Sequence, residues 1–313
     1  MSRVAPRPLG LPEHMLSGGK TPDGEPWVKW AKDGERSGWL TPGTREPEIN
    51  KNSSFWQIVY GLGCDFGNGK IDAVHCVGPS LSVGGLGLTV SSGLAQVLLY
   101  ECFVWQPDRF VKNMFPVMRV ANVYVGDHHV HGPVFFSGAD GKPVTKGLHE
   151  VTGIPEEPGG KAASDRSRLW VSKVSRLLRD KIFDEAQLNF CRSQLPMLLS
   201  DDARQRVCWP ESEPKFFGEW PLEQRALWII ALLLPLLPGV DDADRETVFR
   251  TAMPGTEAQA KILSMLSCAF ALAQKLGTES ARALHAQLRL LVSRIDTVLG
   301  LTLTVMPLPE VTP

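Results

Sequence analysis

The residues with chemistry to offer are a few carboxylates in the first quarter of the chain and a knot of histidines near its middle. Glu46 and Glu48 precede the aromatic run FWQIVY, and Asp65 follows it inside CDFGNG. Two carboxyl groups about 6.5–9.5 Å apart suit acid–base cleavage of a glycosidic bond. One, protonated, gives its proton to the leaving oxygen, and the other, ionised, activates water. A carboxyl beside apolar rings such as Phe55 and Trp56 has surroundings that favour its protonated form. An Asp flanked by glycines on a turn projects into solvent or into a cleft. The plainer readings are a surface carboxylate for Glu48 and a turn residue for Asp65, because Asp-x-Gly, as in Asp65-Phe66-Gly67, is common in turns.

The histidines lie in Asp127-His128-His129-Val130-His131. On a strand, His129 and His131 point to one face, as two-histidine metal sites require. His75 with Cys76, and His149 with Glu150, stand as further ligands. The bland alternative is a solvated hairpin turn. The six cysteines (64, 76, 102, 191, 208 and 268) contain no CxxC pair, which points to reduced, mostly buried thiols and not to a zinc ribbon or a disulfide framework. No GxxxxGK[ST], GxSxG or HExxH motif is present. Ser92 reads as a helix cap and not as a nucleophile.

The elements that must position these groups change character along the chain. Residues 1–50 are rich in Pro, Gly and charge and carry Trp27, Trp30 and Trp39, which predicts an irregular Trp-rich arm. These tryptophans and Trp56 serve either as sugar-stacking platforms or as packing anchors. Residues 51–150 read as an α/β region. FWQIVYGLG and IDAVHCVG have strand composition, and a helix follows from about Ser92 to Trp105. Pro107 stops it, a short helix covers Arg109–Met114, and residues 119–150 form a β-hairpin. The loop 151–163 is the candidate boundary. A helical lobe then runs over 164–300, ahead of a C-terminal tail, 301–313. Its expected segments are 165–182, 184–199, 222–237, one capped by Thr256 and ended by Gly277, and one capped by Thr278. The last carries the stripe Leu284, Leu288, Leu291, Ile295 and Val298. The fold class is therefore α+β, mainly α, with a small β-region and hairpin in the first half and a helical bundle in the second.

Within 45–110 the order of features resembles the lysozyme-like clan, particularly chitosanase-type and related peptidoglycan-cleaving glycosidases. Ser82, Gly84, Thr89, Ser92, Gly93, Leu94, Leu98 and Leu99 match that clan's segment leading into its core helix. The resemblance implies a two-lobed fold, Glu48 as general acid, Asp65 as general base, and Trp56, Ser82 and Thr89 at the substrate. It implies no cofactor and an amino-sugar polymer as substrate.

Bulk properties bound these readings. With 313 residues, 43% hydrophobic and 21% charged, the chain is ordinary globular material. A net charge of −1, from 33 basic and 34 acidic residues without a long basic run, gives no footprint for nucleic acid. The longest apolar run, Ala226 to Pro238, is shorter than the about 20 residues of a membrane span and reads as a buried helix. Residues 1–10 lack the apolar core of a conventional secretory signal, so synthesis in the cytoplasm is expected. Delivery would then need a phage-like particle or secretion apparatus. The leading expectation is a divergent lysozyme-like hydrolase of peptidoglycan, active or not. The alternative is a non-catalytic structural or adaptor protein of such an assembly, and the third is a small metalloprotein centred on His129 and His131.

Overall fold

Ser54 sets the first helix. Its hydroxyl accepts from the Gln57 N–H, while the Gln57 side chain accepts from the Ser54 N–H, so two orphan donors are satisfied reciprocally. The helix, α1, runs Phe55–Phe66. This corrects the reading of FWQIVYGLG as a strand. Aromatic and β-branched content suggested extended chain, but Ser-x-x-Gln at 54–57 nucleates a turn and burial on nearly every side repays the modest propensity loss. The structure, a computed structural model, describes residues 28–32, 36–41, 43–77, 80–89, 94–114, 165–211 and 219–303. The expected hairpin at 119–150, with His129 and His131, lies outside these residues.

The chain divides into two units that interleave in sequence, Met1–Pro47 with Asn68–Phe190, and Glu48–Gly67 with Cys191–Pro313. The first unit holds an antiparallel meander in the order β1 (Val28–Lys32), β2 (Arg36–Thr41), β3 (Val74–Val77), β4 (Ser80–Val83) and β5 (Leu88–Thr89). It also holds α2 (Leu94–Trp105), α3 (Pro107–Met114) and α4 (Asp165–Arg179). Helix α4 packs on β2, β3 and α3. Val74, Val83 and Leu88 face the core with Leu98, Leu99, Phe110, Val174, Leu177 and Leu178.

The second unit gathers α1 with the helices of the second half. These are α6 (Asp201–Val207), α7 (Leu222–Leu233), α8 (Asp242–Thr251), α9 (Ala258–Leu276) and α10 (Glu279–Leu299), while α5 (Asp184–Gln194) carries the division between the units. Helices α7 and α10 pack on α1. Residues Ala226 to Leu233 of α7 are all buried, and no helix among the described residues is long and apolar enough to cross a membrane. Thr278 caps α10 as expected, and Leu284, Leu288, Leu291 and Ile295 are buried along it. Gly277 ends α9, but Thr256 does not cap it. That helix starts after Glu257, and the Thr256 hydroxyl donates instead to the Met253 carbonyl, 2.8 Å away. Helices α6 and α8 have no counterpart among the expected elements. Both are short, and their sequence marks are the capping residues Ser200 and Asp241.

One glycine matters for how α1 is held. A methyl group on Gly61 would collide with the side chain of Ile49, so the bare Cα lets the extended segment before the helix lie against it. Along that segment burial alternates, with Ile49 turned inward and Glu48 and Asn50 outward.

Candidate functional site

The two nominated carboxylates belong to the second unit and have unlike surroundings. Glu48 sits on the extended segment, exposed. Because Ile49 next to it faces α1, the strand-like alternation turns Glu48 to solvent, away from the apolar rings a proton donor would use. Asp65 lies in the last turn of α1 and not on a turn of a β-region. Its Oδ2 accepts from Arg294 Nε of α10 at 2.8 Å, and its side chain is 32% exposed. The helix therefore leads up to Asp65, whereas the chain before Glu48 is extended. Trp56 is buried among packed rings. Phe55 meets it edge-on at 5.0 Å and meets Trp220 at 6.0 Å, and Trp220 and Trp209 contact Trp228 in turn.

In the first unit the sheet register brings the two nominated polar residues together. Ser82 of β4 pairs with Thr89 of β5 on one side and with His75 of β3 on the other. Since strand side chains alternate, these three share the face opposite Val74, Val83 and Leu88, and all three are partly exposed. Asn68 closes the row. Its Oδ1 accepts from Ser82 Oγ at 3.0 Å, and its Nδ2 donates to the Gly84 carbonyl at 2.9 Å. Burial holds the His75 imidazole below its ordinary pKa, so it is neutral near pH 7 and offers one donor and one acceptor. A face of hydroxyl, amide and neutral imidazole groups is suited to hydrogen-bonding sugar hydroxyls.

The polar group that the sequence reading missed is Asp72. Its side chain is fully buried in the turn just before β3, between Ile71 and Ala73. Oδ1 accepts from the Thr44 and Arg45 amides at 2.7 and 2.9 Å. Oδ2 accepts from Thr44 Oγ1 at 3.1 Å and Arg179 Nε at 2.9 Å. Burial opposes its ionisation, but these donors outweigh it and hold the carboxyl below the usual carboxylate range. Gly43 at φ +75° permits the approach, since a Cβ there would lie 2.9 Å from Asp72 Oδ1. Arg45 continues the network with a two-pronged pair to Asp184 at 2.8 and 2.6 Å, and with bonds to the Leu178 and Arg179 carbonyls at the end of α4. The available sequence signal was a lone carboxylate inside an apolar strand start, which demands partners wherever it is buried.

Glu101, on α2, also escaped the sequence reading. Burial pushes its carboxyl above the ordinary glutamate range, the condition a proton donor needs. Among the described residues no group of three His, Cys, Asp or Glu side chains is gathered as a metal ion would require. Comparison with protein-family models, curated proteins and solved structures finds no match for this chain.

Proposed function

We propose that this chain is a non-catalytic structural or adaptor protein of lysozyme-like descent, serving a phage-like or secretion assembly directed at an amino-sugar polymer such as peptidoglycan. The observation that carries the reading is the surroundings of the two carboxyls. Acid–base cleavage needs one desolvated, protonated carboxyl and one free carboxylate facing the same water. Glu48 is solvated, and Asp65 is engaged by Arg294. The polar row of His75, Ser82 and Thr89 supports retained contact with a glycan.

A hydrolase is the second reading, favoured by the desolvated carboxyl of Glu101. Turbidity loss of a peptidoglycan suspension separates the two. The adaptor reading expects no clearing by the wild type, and co-sedimentation with the insoluble polymer that Ser82→Val and Thr89→Val weaken. Clearing by the wild type that Glu48→Gln, Asp65→Asn or Glu101→Gln abolishes would replace it with the hydrolase. Behaviour as a clean monomer in native lysate, without polymer binding, would count against the adaptor reading.

A further inference from the structure

Helix α6 ends in a tight turn at Cys208. The Trp209 N–H donates to the Arg204 carbonyl and the Cys208 N–H to the Gln205 carbonyl, the paired closure that normally uses glycine at the left-handed position. Cys208, at φ 54°, is the one non-glycine residue with positive φ among the described residues. Its neighbour in space is Lys261 of α9, whose residue is 2% exposed. The Lys261 Nζ donates to the Arg206 carbonyl at 2.7 Å and to Cys208 Sγ at 3.3 Å. Among the described residues no carboxylate pairs with this lysine, and the thiol is the side chain it meets. The carbonyl at a helix C-terminus explains one of its bonds. The bond to sulfur is not needed for capping.

The thiols differ sharply in access. Cys64, Cys102 and Cys191 are buried, and burial pushes each far above the ordinary thiol range, which makes them inert. Cys268 is half-buried and raised by the same cause. Cys208 is exposed.

We infer that Cys208 and Lys261 form a peroxide-responsive modification site that closes into a reversible sulfur–nitrogen link. In the first step the Cys208 sulfur attacks one oxygen of hydrogen peroxide and the O–O bond breaks. The departing hydroxide takes the thiol proton and leaves as water. The sulfur, oxidised by two electrons, becomes sulfenic acid, and the peroxide is reduced. In the second step Lys261 releases one proton to solvent, and its nitrogen lone pair displaces the sulfenic hydroxyl. That hydroxyl leaves as water with a second proton from nitrogen, giving S–NH. No further oxidant is consumed. The 3.3 Å separation is already that of groups poised to react. The link ties the end of α6 to the first turn of α9, and two equivalents of a small thiol reverse it.

The test is peptide mapping by mass spectrometry of the full chain after a small excess of hydrogen peroxide. The wild type should give joined peptides bearing Cys208 and Lys261, lighter than their sum by two hydrogens and separated again by dithiothreitol. In Lys261→Met the joined peptide should be lost, and a dione probe of sulfenic acid should label Cys208 instead. The wild-type map stands without the variants, should Lys261→Met fail to fold. Folded wild type in which Cys208 is unmodified, or is oxidised or dione-labelled without a link to Lys261, overturns the inference.

Discussion

Replacing Asp72 by alanine isolates what the buried carboxylate contributes to the sheet-bearing unit. The substitution removes the acceptor for four donors, the Thr44 and Arg45 amides, the Thr44 hydroxyl and Arg179 Nε. Breaking a buried ion pair from one side costs about 3–5 kcal/mol, and one stranded buried donor about 1–3 kcal/mol. Arg179, 34% exposed on its side chain, and the exposed Thr44 can turn to water, so the upper limits do not apply to them. The expected loss is therefore about 3–4 kcal/mol, carried mainly by the two amides. Arg179→Ala removes one donor and leaves three, so its expected cost is about 1–2 kcal/mol. Ser175 Oγ donates to the main-chain carbonyl of Asp72 at 2.7 Å, a bond both variants keep. Urea unfolding followed by circular dichroism measures the energies. Hydrogen exchange of peptides containing Thr44 and Arg45 locates them. A loss under about 1 kcal/mol for Asp72→Ala, or unchanged protection at those amides, would refute the reasoning.

Gly61→Ala sets helix propensity against packing. Alanine gains about 1 kcal/mol in a helix, but overpacking against the branched side chain of Ile49 costs about 1–3 kcal/mol, so net destabilisation is expected. Pairing it with Ile49→Ala should recover part of the loss, and urea midpoints would show it. Ser54→Ala should cost about 1 kcal/mol through the lost cap, while Ser54→Asp should retain most of it. Acid should weaken the fold in two stages. Burial, and for His285 also Arg289, holds the His75 and His285 imidazoles below their ordinary value. The unfolded chain then binds protons the folded chain refuses, and stability falls as pH drops below about 6.5. Asp72, held low, contributes fully above its unfolded value of about 3.9 and loses that contribution progressively as pH falls from there through its folded pKa. Unfolding midpoints from pH 8 to 3, with His285→Gln as comparison, measure both stages, and a flat profile from pH 7 to 5.5 would contradict the first.

What the sequence determined by itself is local. The stripe of α10 and its Thr278 cap are spelled by residues three and four apart, so the helix was legible without knowing its neighbours. The mainly α class with a small antiparallel sheet was legible for the same reason, as were the strand at Val74–Val77 and the helix at Leu94–Trp105. Tertiary structure decided where local signals disagreed or were mute. FWQIVY has strand composition, yet the Ser54–Gln57 cap and burial against α7 and α10 make it a helix, and that moved Asp65 from a turn to a helix end. Arg294, the partner that gives Asp65 its setting, is 229 positions away, and Arg179 is 107 from Asp72. No period along the chain encodes such pairs. The Ser82–Thr89 pairing and the meeting of Cys208 with Lys261 arise likewise from register and packing. Sequence spacing fixes which way a side chain faces along one element, but which group waits opposite it depends on how the elements fold back on one another.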